Sequence, residues 1–149
     1  MTPAEVETDL MARFSGLRPK ASWGERSFFL NPDGVLPNGV YFATIKEADG
    51  ENDRASALDR PDVWRVNFGV PKSLFQDHFG AVPKRPAKGE AIAGDWDFTT
   101  LDTLMPHPIY GWMGWVAVLC PSRATWDQAG PLLDAAYEKA QAGLKKRLK

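Results

Sequence analysis

Two short stretches restrict the fold of this chain more than any other feature. "GVYFATIK" (39–46) sets Val40, Phe42 and Thr44 against Tyr41, Ala43 and Ile45, and "VWRVNFGV" (63–70) sets Trp64, Val66 and Phe68 against Val63, Arg65 and Asn67. Period-two patterning rich in β-branched and aromatic residues predicts strands. The polar loop "EADGENDRASALDRPD" joins them, which predicts antiparallel neighbours in one sheet. "SFFL", running into the turn signal "NPDG", predicts a strand before them, and "GWVAVLC" predicts one after.

Helices are predicted at both ends. Thr2, Pro3 and Glu5 form a hydroxyl cap, a first-turn proline and a capping-box partner, ahead of a stripe of Val6, Leu10, Phe14 and Leu17 that Gly16 can stop. "PKSLFQDHFG" predicts a short second helix with Leu74, Phe75, His78 and Phe79 on one face. Residues 81–97 have proline, glycine and charge without a period and predict a long surface loop, after which "FTTLDTLM" predicts a helical turn. Ser122 is placed to cap a closing helix striped by Leu133, Tyr137, Ala140, Leu144 and Leu148, with a kink or restart at Gly130–Pro131. The expectation is one α+β domain over 1–149, order α-β-β-β-α-β-α, with a largely antiparallel sheet covered on one face by the amino- and carboxyl-terminal helices.

At 149 residues the chain suits one domain with a real core. A net charge of −1 supplies no global attraction to nucleic acid or to an anionic membrane. One cysteine excludes an intrachain disulfide and a cysteine-rich zinc site, in keeping with a reducing cytoplasm. The first residues are acidic and lack a long apolar run, so neither a leader nor a membrane span is expected there.

The densest chemistry lies in "LMPHPIYGWMGWVAVLCPS" (104–122). His107, held between two prolines, is the strongest acid–base candidate, with Asp95, Asp97 or Asp102 as candidates to orient it. A structural role, bracing the loop against neighbouring backbone, is favoured for it. His78 reads as a partly buried packing residue and Cys120 as a small hydrophobe at a strand end, so no metal site and no cofactor are expected. Phosphate-loop, dinucleotide and hydrolase-elbow motifs are absent. The basic clusters Lys84, Arg85, Lys88 and "KKRLK" could contact phosphates, but a decorated loop and a capped helix end are the favoured reading. Trp23 and Trp96 fall in loops, where exposure beside a cavity would make them ligand contacts.

The segments "LDRPDVWRVNFGVPKSLFQDHFG" and "TLDTLMPHPIYGWMGWVAVLCPS", with the helix around "GPLLDAAYEKA", resemble a family of uncharacterised bacterial proteins classed as a domain of unknown function. That family is in turn distantly similar to the YjbR/MmcQ-like group, small α+β domains compared with double-winged DNA-binding folds. The resemblance implies the architecture and no reaction. At position 120 it implies asparagine more often than cysteine, which weakens a nucleophilic Cys120 further.

Taken together, these readings favour a cytoplasmic binding domain whose contact surface combines the 81–97 loop with "MPHPIYGW", using His107, Tyr110, Trp112, Arg65 and Trp96, with Arg60 adding charge. A small molecule or a protein is the preferred partner over nucleic acid, and an open sheet edge would make a homodimer. The alternative is a small-pocket enzyme using His107 as general acid or base. Replacing His107 by Ala separates the roles: an enzyme loses turnover while staying folded, whereas a loop brace loses melting temperature first.

Overall fold

The computed structural model describes residues 1–149. Helix α1 spans Pro3–Arg13 and begins with the predicted capping box: Thr2 Oγ1 accepts from the Glu5 amide while Glu5 Oε1 accepts from the Thr2 amide. The helix ends earlier than its apolar stripe suggests. Phe14 is already extended, and Gly16, at φ 80°, turns the chain so that Leu17 opens a strand, β1 (Leu17–Ser22).

That strand is not among the predicted elements, for a physical reason. In "LRPKAS" only Leu17 is buried, so no apolar alternation marks it, and it exists through its ladder to β2 (Glu25–Leu30) at the sheet edge, where Pro19 is tolerated. The chain continues with β3 (Val40–Lys46), β4 (Arg65–Gly69), α2 (Lys72–Phe79), β5 (Met105–Pro106) and β6 (Trp115–Leu119). Helix α3 (Arg123–Gln128) is capped by Ser122, and α4 (Gly130–Arg147) restarts at the Gly130–Pro131 break. The "FTTLDTLM" stretch holds no helix: it contains a turn, a bridge from Leu101 to Leu119, and Met105 at the start of β5.

The six strands pair in the order β1-β2-β3-β4-β6-β5, every pair antiparallel. Phe28, Leu30, Ala43, Ile45, Val66, Phe68, Val116 and Val118 share one core with Val6 and Leu10 of α1, Phe75 of α2, Trp126 of α3, and Leu133, Ala136 and Ala140 of α4. The alternate positions Thr44, Arg65, Asn67, Ala117 and Leu119 face the other way. They are buried as well, which corrects the expectation of a sheet covered on one face. Coil segments from 47–64 and 101–114 provide the second cover: Leu58 and Met105 pack on Leu119, and Ser56 and His107 are buried.

Arg65 sits under that cover with no solvent exposure. Its Nε donates to Asn67 Oδ1 at 2.6 Å and its Nη1 to Asp53 Oδ1 at 3.0 Å and to Ser56 Oγ at 2.9 Å. Nη2 completes the fork to Asp53 Oδ2 at 2.5 Å, and Asn67 passes the network on to Thr44 Oγ1 at 2.9 Å. A buried guanidinium is tolerable only when its donors are met, so the 47–64 loop is pinned to the sheet by Asp53. Removing the carboxylate by Asp53→Ala is expected to lower unfolding stability by about 3–5 kcal/mol, read from urea denaturation, whereas Asp59→Ala at the exposed end of the same loop should cost far less.

Candidate functional site

The Pro106-His107-Pro108 triplet builds its own geometry. The His107 amide donates to Trp115 O at 2.9 Å, extending the β5–β6 ladder by one bond. Pro108 disfavours helical backbone at His107 and opens a turn that closes with the Gly111 amide donating to His107 O at 2.9 Å. Inside this turn the Ile109 and Tyr110 amides both donate to His107 Nδ1, each at 3.0 Å, so the imidazole does the work of a helix cap.

Two amides on Nδ1 decide the tautomer: the proton of the neutral ring is on Nε2. Burial, with Arg65 and Lys46 adding repulsion, holds the His107 pKa well below 6.5. Arg65 Nη2 lies 3.3 Å from Nε2, and since both carry hydrogens the contact sets one donor against another. Neither nitrogen satisfies the other.

Beside the ring lies a cavity of about 250 Å³ lined by Glu25, Thr44, His107 and Tyr110, with Tyr41, Met113 and Trp115 as its apolar wall. Trp115 reaches this place by lying across Gly69, where a Cβ would come within 2.8 Å of its indole Nε1. Its ring stands edge-on to Tyr41 and to His107, with centroids 6.4 Å and 6.5 Å away. Glu25, the first residue of β2, has its pKa raised by burial and the nearby Asp53, against opposing pulls from Lys46, Arg65 and Thr44. The cavity therefore joins a carboxyl group that gains protons easily to an imidazole that stays neutral.

Of the residues singled out from sequence, His107 and Tyr110 meet at this cavity. Arg65 stands behind His107, wholly enclosed and engaged with protein partners. Trp112 lies beyond the turn beneath the Arg85 guanidinium, 5.0 Å from the ring centroid, and Trp96 packs edge-on to Phe79. Lys84, Arg85 and Lys88 are exposed on the 81–97 loop. The carboxylates expected to orient His107 are engaged elsewhere. Asp97 accepts from Thr99, and Asp102 accepts from the Ser122 amide at 2.7 Å, contacts that lower both pKa values. Asp95 is exposed.

His78 is exposed too, not partly buried, because α2 buries only Phe75 fully. Cys120 is half-buried with its Sγ toward Asp62 O. No cluster of three His, Cys, Asp or Glu side chains is placed to hold a metal ion. Glu25 escaped the sequence reading. Its signal was a charged residue at strand phase, paired across the sheet with Lys46, which in turn pairs with Arg65.

Fold and site together define an α+β domain with a six-stranded antiparallel sheet and a small cavity that sets Glu25, Thr44 and His107 against an apolar wall. The chain belongs to a family described as a family of unknown function (DUF6194), whose model matches residues 1–149. Comparison with curated proteins and with solved structures gives no match. No helix is long and apolar enough to cross a membrane.

The two pKa shifts carry opposite linkage. His107 in the unfolded chain takes up a proton below about 6.5 while the native residue does not, so its contribution to stability is full above that pH and is lost as pH falls toward the native pKa. Glu25 in the native protein holds its proton above the unfolded value of 4.5, so its contribution is present below that value and is lost as pH rises through the raised native pKa. In urea titrations the His107 slope should approach but not exceed about 1.4 kcal/mol per pH unit below pH 6.5. His107→Asn, which keeps an acceptor for the two amides and cannot titrate, should abolish that slope; an unchanged slope would assign it to other groups.

Proposed function

We propose that the protein binds a small oxygen-bearing organic molecule in the cavity between Glu25 and His107. One observation carries this reading: His107 lines the cavity and its Nε2–H has no protein acceptor, because Nδ1 is committed to the turn and Arg65 is itself a donor. A carbonyl or hydroxyl oxygen on the ligand supplies the acceptor, and Glu25 receives a hydroxyl or amine from its other end. Tyr41, Met113 and Trp115 contact the carbon skeleton. The cavity is smaller than the usual pocket for a drug-sized ligand, so a molecule of a few carbons is the match.

A second reading, a proton-transfer enzyme, is favoured by the paired environments that raise the Glu25 pKa and lower that of His107. Here the Glu25 carboxylate takes a proton from the carbon beside a carbonyl. The C–H electron pair moves into the enolate, the charge settles on oxygen, and Nε2–H stabilises it before Glu25 returns the proton. His107 serves as a neutral hydrogen-bond donor in this scheme, not as an imidazolium acid.

A nucleic-acid partner, and with it the YjbR-like comparison, has less support, since Arg85 already covers the Trp112 face on which a base would stack. Edge pairing into a homodimer through β1 is opposed by Arg18, Pro19 and Lys20.

The test is an amide-NMR screen with small carbonyl and hydroxy compounds against the native chain, Glu25→Gln and His107→Asn. Binders should shift Thr44, Tyr110 and Trp115, and each variant should weaken them by about five- to tenfold, the worth of one hydrogen bond. Shifts confined to other surfaces would overturn the assignment. Wash-in of solvent deuterium at the ligand's C–H in the native chain, lost in Glu25→Gln, separates the enzyme from the binding domain.

A further inference from the structure

A second concavity, of about 650 Å³, runs along the outer half of β3 beside the carboxyl-terminal half of α4. It exists because β3 pairs with β4 only from Ala43 onward, which leaves Val40 and Tyr41 without a partner on that side. Its apolar wall includes Phe29, Tyr41 and Trp115, and its rim carries Lys139 and Arg147. Lys139 Nζ donates to Val70 O at 3.1 Å and Arg147 Nη1 to Gly39 O at 2.9 Å. Backbone carbonyls satisfy geometry but cancel no charge. The ion pairs of this chain use Arg13, Arg26, Arg65 and Arg123, so neither groove cation has a carboxylate partner, and Lys72 approaches Lys139 closely enough to repel it.

The helix dipole accounts for part of this charge. Lys145, Lys146 and Arg147 lie in the last turn of α4, where cations complement the carbonyl ends. Lys139 lies more than two turns earlier and gains nothing from that end. Its ammonium is partly stripped of water and its pKa is lowered, first by that desolvation and then by Lys72.

We propose that this groove is a binding site for the anionic group, carboxylate or phosphate, of a small organic molecule, with Lys139 and Arg147 as its counter-ions. Arg147 keeps N–H groups beyond the one spent on Gly39, so it can present a fork to a planar carboxylate or to phosphate oxygens while Lys139 acts as a point charge. The site stands independently of the Glu25–His107 cavity. The two share Tyr41, Met113 and Trp115 as a common wall, so its occupancy is visible in the same indole signal.

The experiment is a titration of the full chain at constant ionic strength with inorganic phosphate and, separately, with succinate, following the Gly39 and Gly143 amides and the Trp115 indole. Saturable shifts at these positions are expected with at least one anion, and the tighter of the two tells whether the natural ligand carries phosphate or carboxylate. Lys139→Met should weaken binding by about tenfold, the worth of a charge-assisted hydrogen bond, and Lys139→Arg should retain it. Lys139→Met and Arg147→Gln each give up a bond to a backbone carbonyl, so thermal melts accompany the titrations and affinities are compared at a temperature where every variant is folded. Absence of a saturable shift with either anion, or affinity unchanged in a Lys139→Met, Arg147→Gln double variant, would overturn the proposal.

Discussion

The buried ion pair of Arg65 with Asp53 is the constraint on which the second half of this structure depends. A guanidinium at the start of a central strand, with no contact with water, is stable only inside a complete shell of acceptors. Asn67 supplies one from the same strand, and Asp53 and Ser56 supply the rest from the long 47–64 connection. A loop that its composition would leave free on the surface is thereby drawn across the sheet. Once it is there, that face becomes a second enclosed layer, polar where the helix-packed core is apolar.

His107 borders the same charge, and its chemistry follows from that position. Burial beside Arg65 keeps the imidazole neutral, and the turn set up by Pro108 takes both lone-pair contacts to Nδ1. The brace and the site are therefore one arrangement. By holding the turn with one nitrogen, the ring presents the other as a donor of fixed direction. Glu25 completes the cavity from β2, where partial burial raises its proton affinity. Under the proposed function, proton transfer would fall to this carboxyl group and the histidine would contribute a hydrogen bond.

Much of the framework was legible in the residues. The alternation of 39–46 and 63–70, the capping box at Thr2, the Ser122 cap and the break at Gly130–Pro131 are local signals, and each corresponds to an observed feature. The misses share a cause. β1 carries no apolar alternation, and β5 is two residues long, so both exist through their partners' ladders rather than through their own side chains. Helical spacing places His78 beside Phe75 and Phe79, but a two-turn helix buries too narrow a stripe to reach it.

The site divides along the same line. Sequence alone determined that position 107 would be rigid and that Arg65 and Asn67 would share one side of a strand, since proline geometry and the pleat act within a few residues. Tertiary structure alone decided that this side would be closed, that Asp53 would hold the Arg65 charge, that Asp97 and Asp102 would be engaged away from His107, and that Glu25 would share its cavity. The physical reason is range: backbone preference is set by neighbours in the chain, whereas desolvation and ion pairing depend on which distant segments fold over a given side chain.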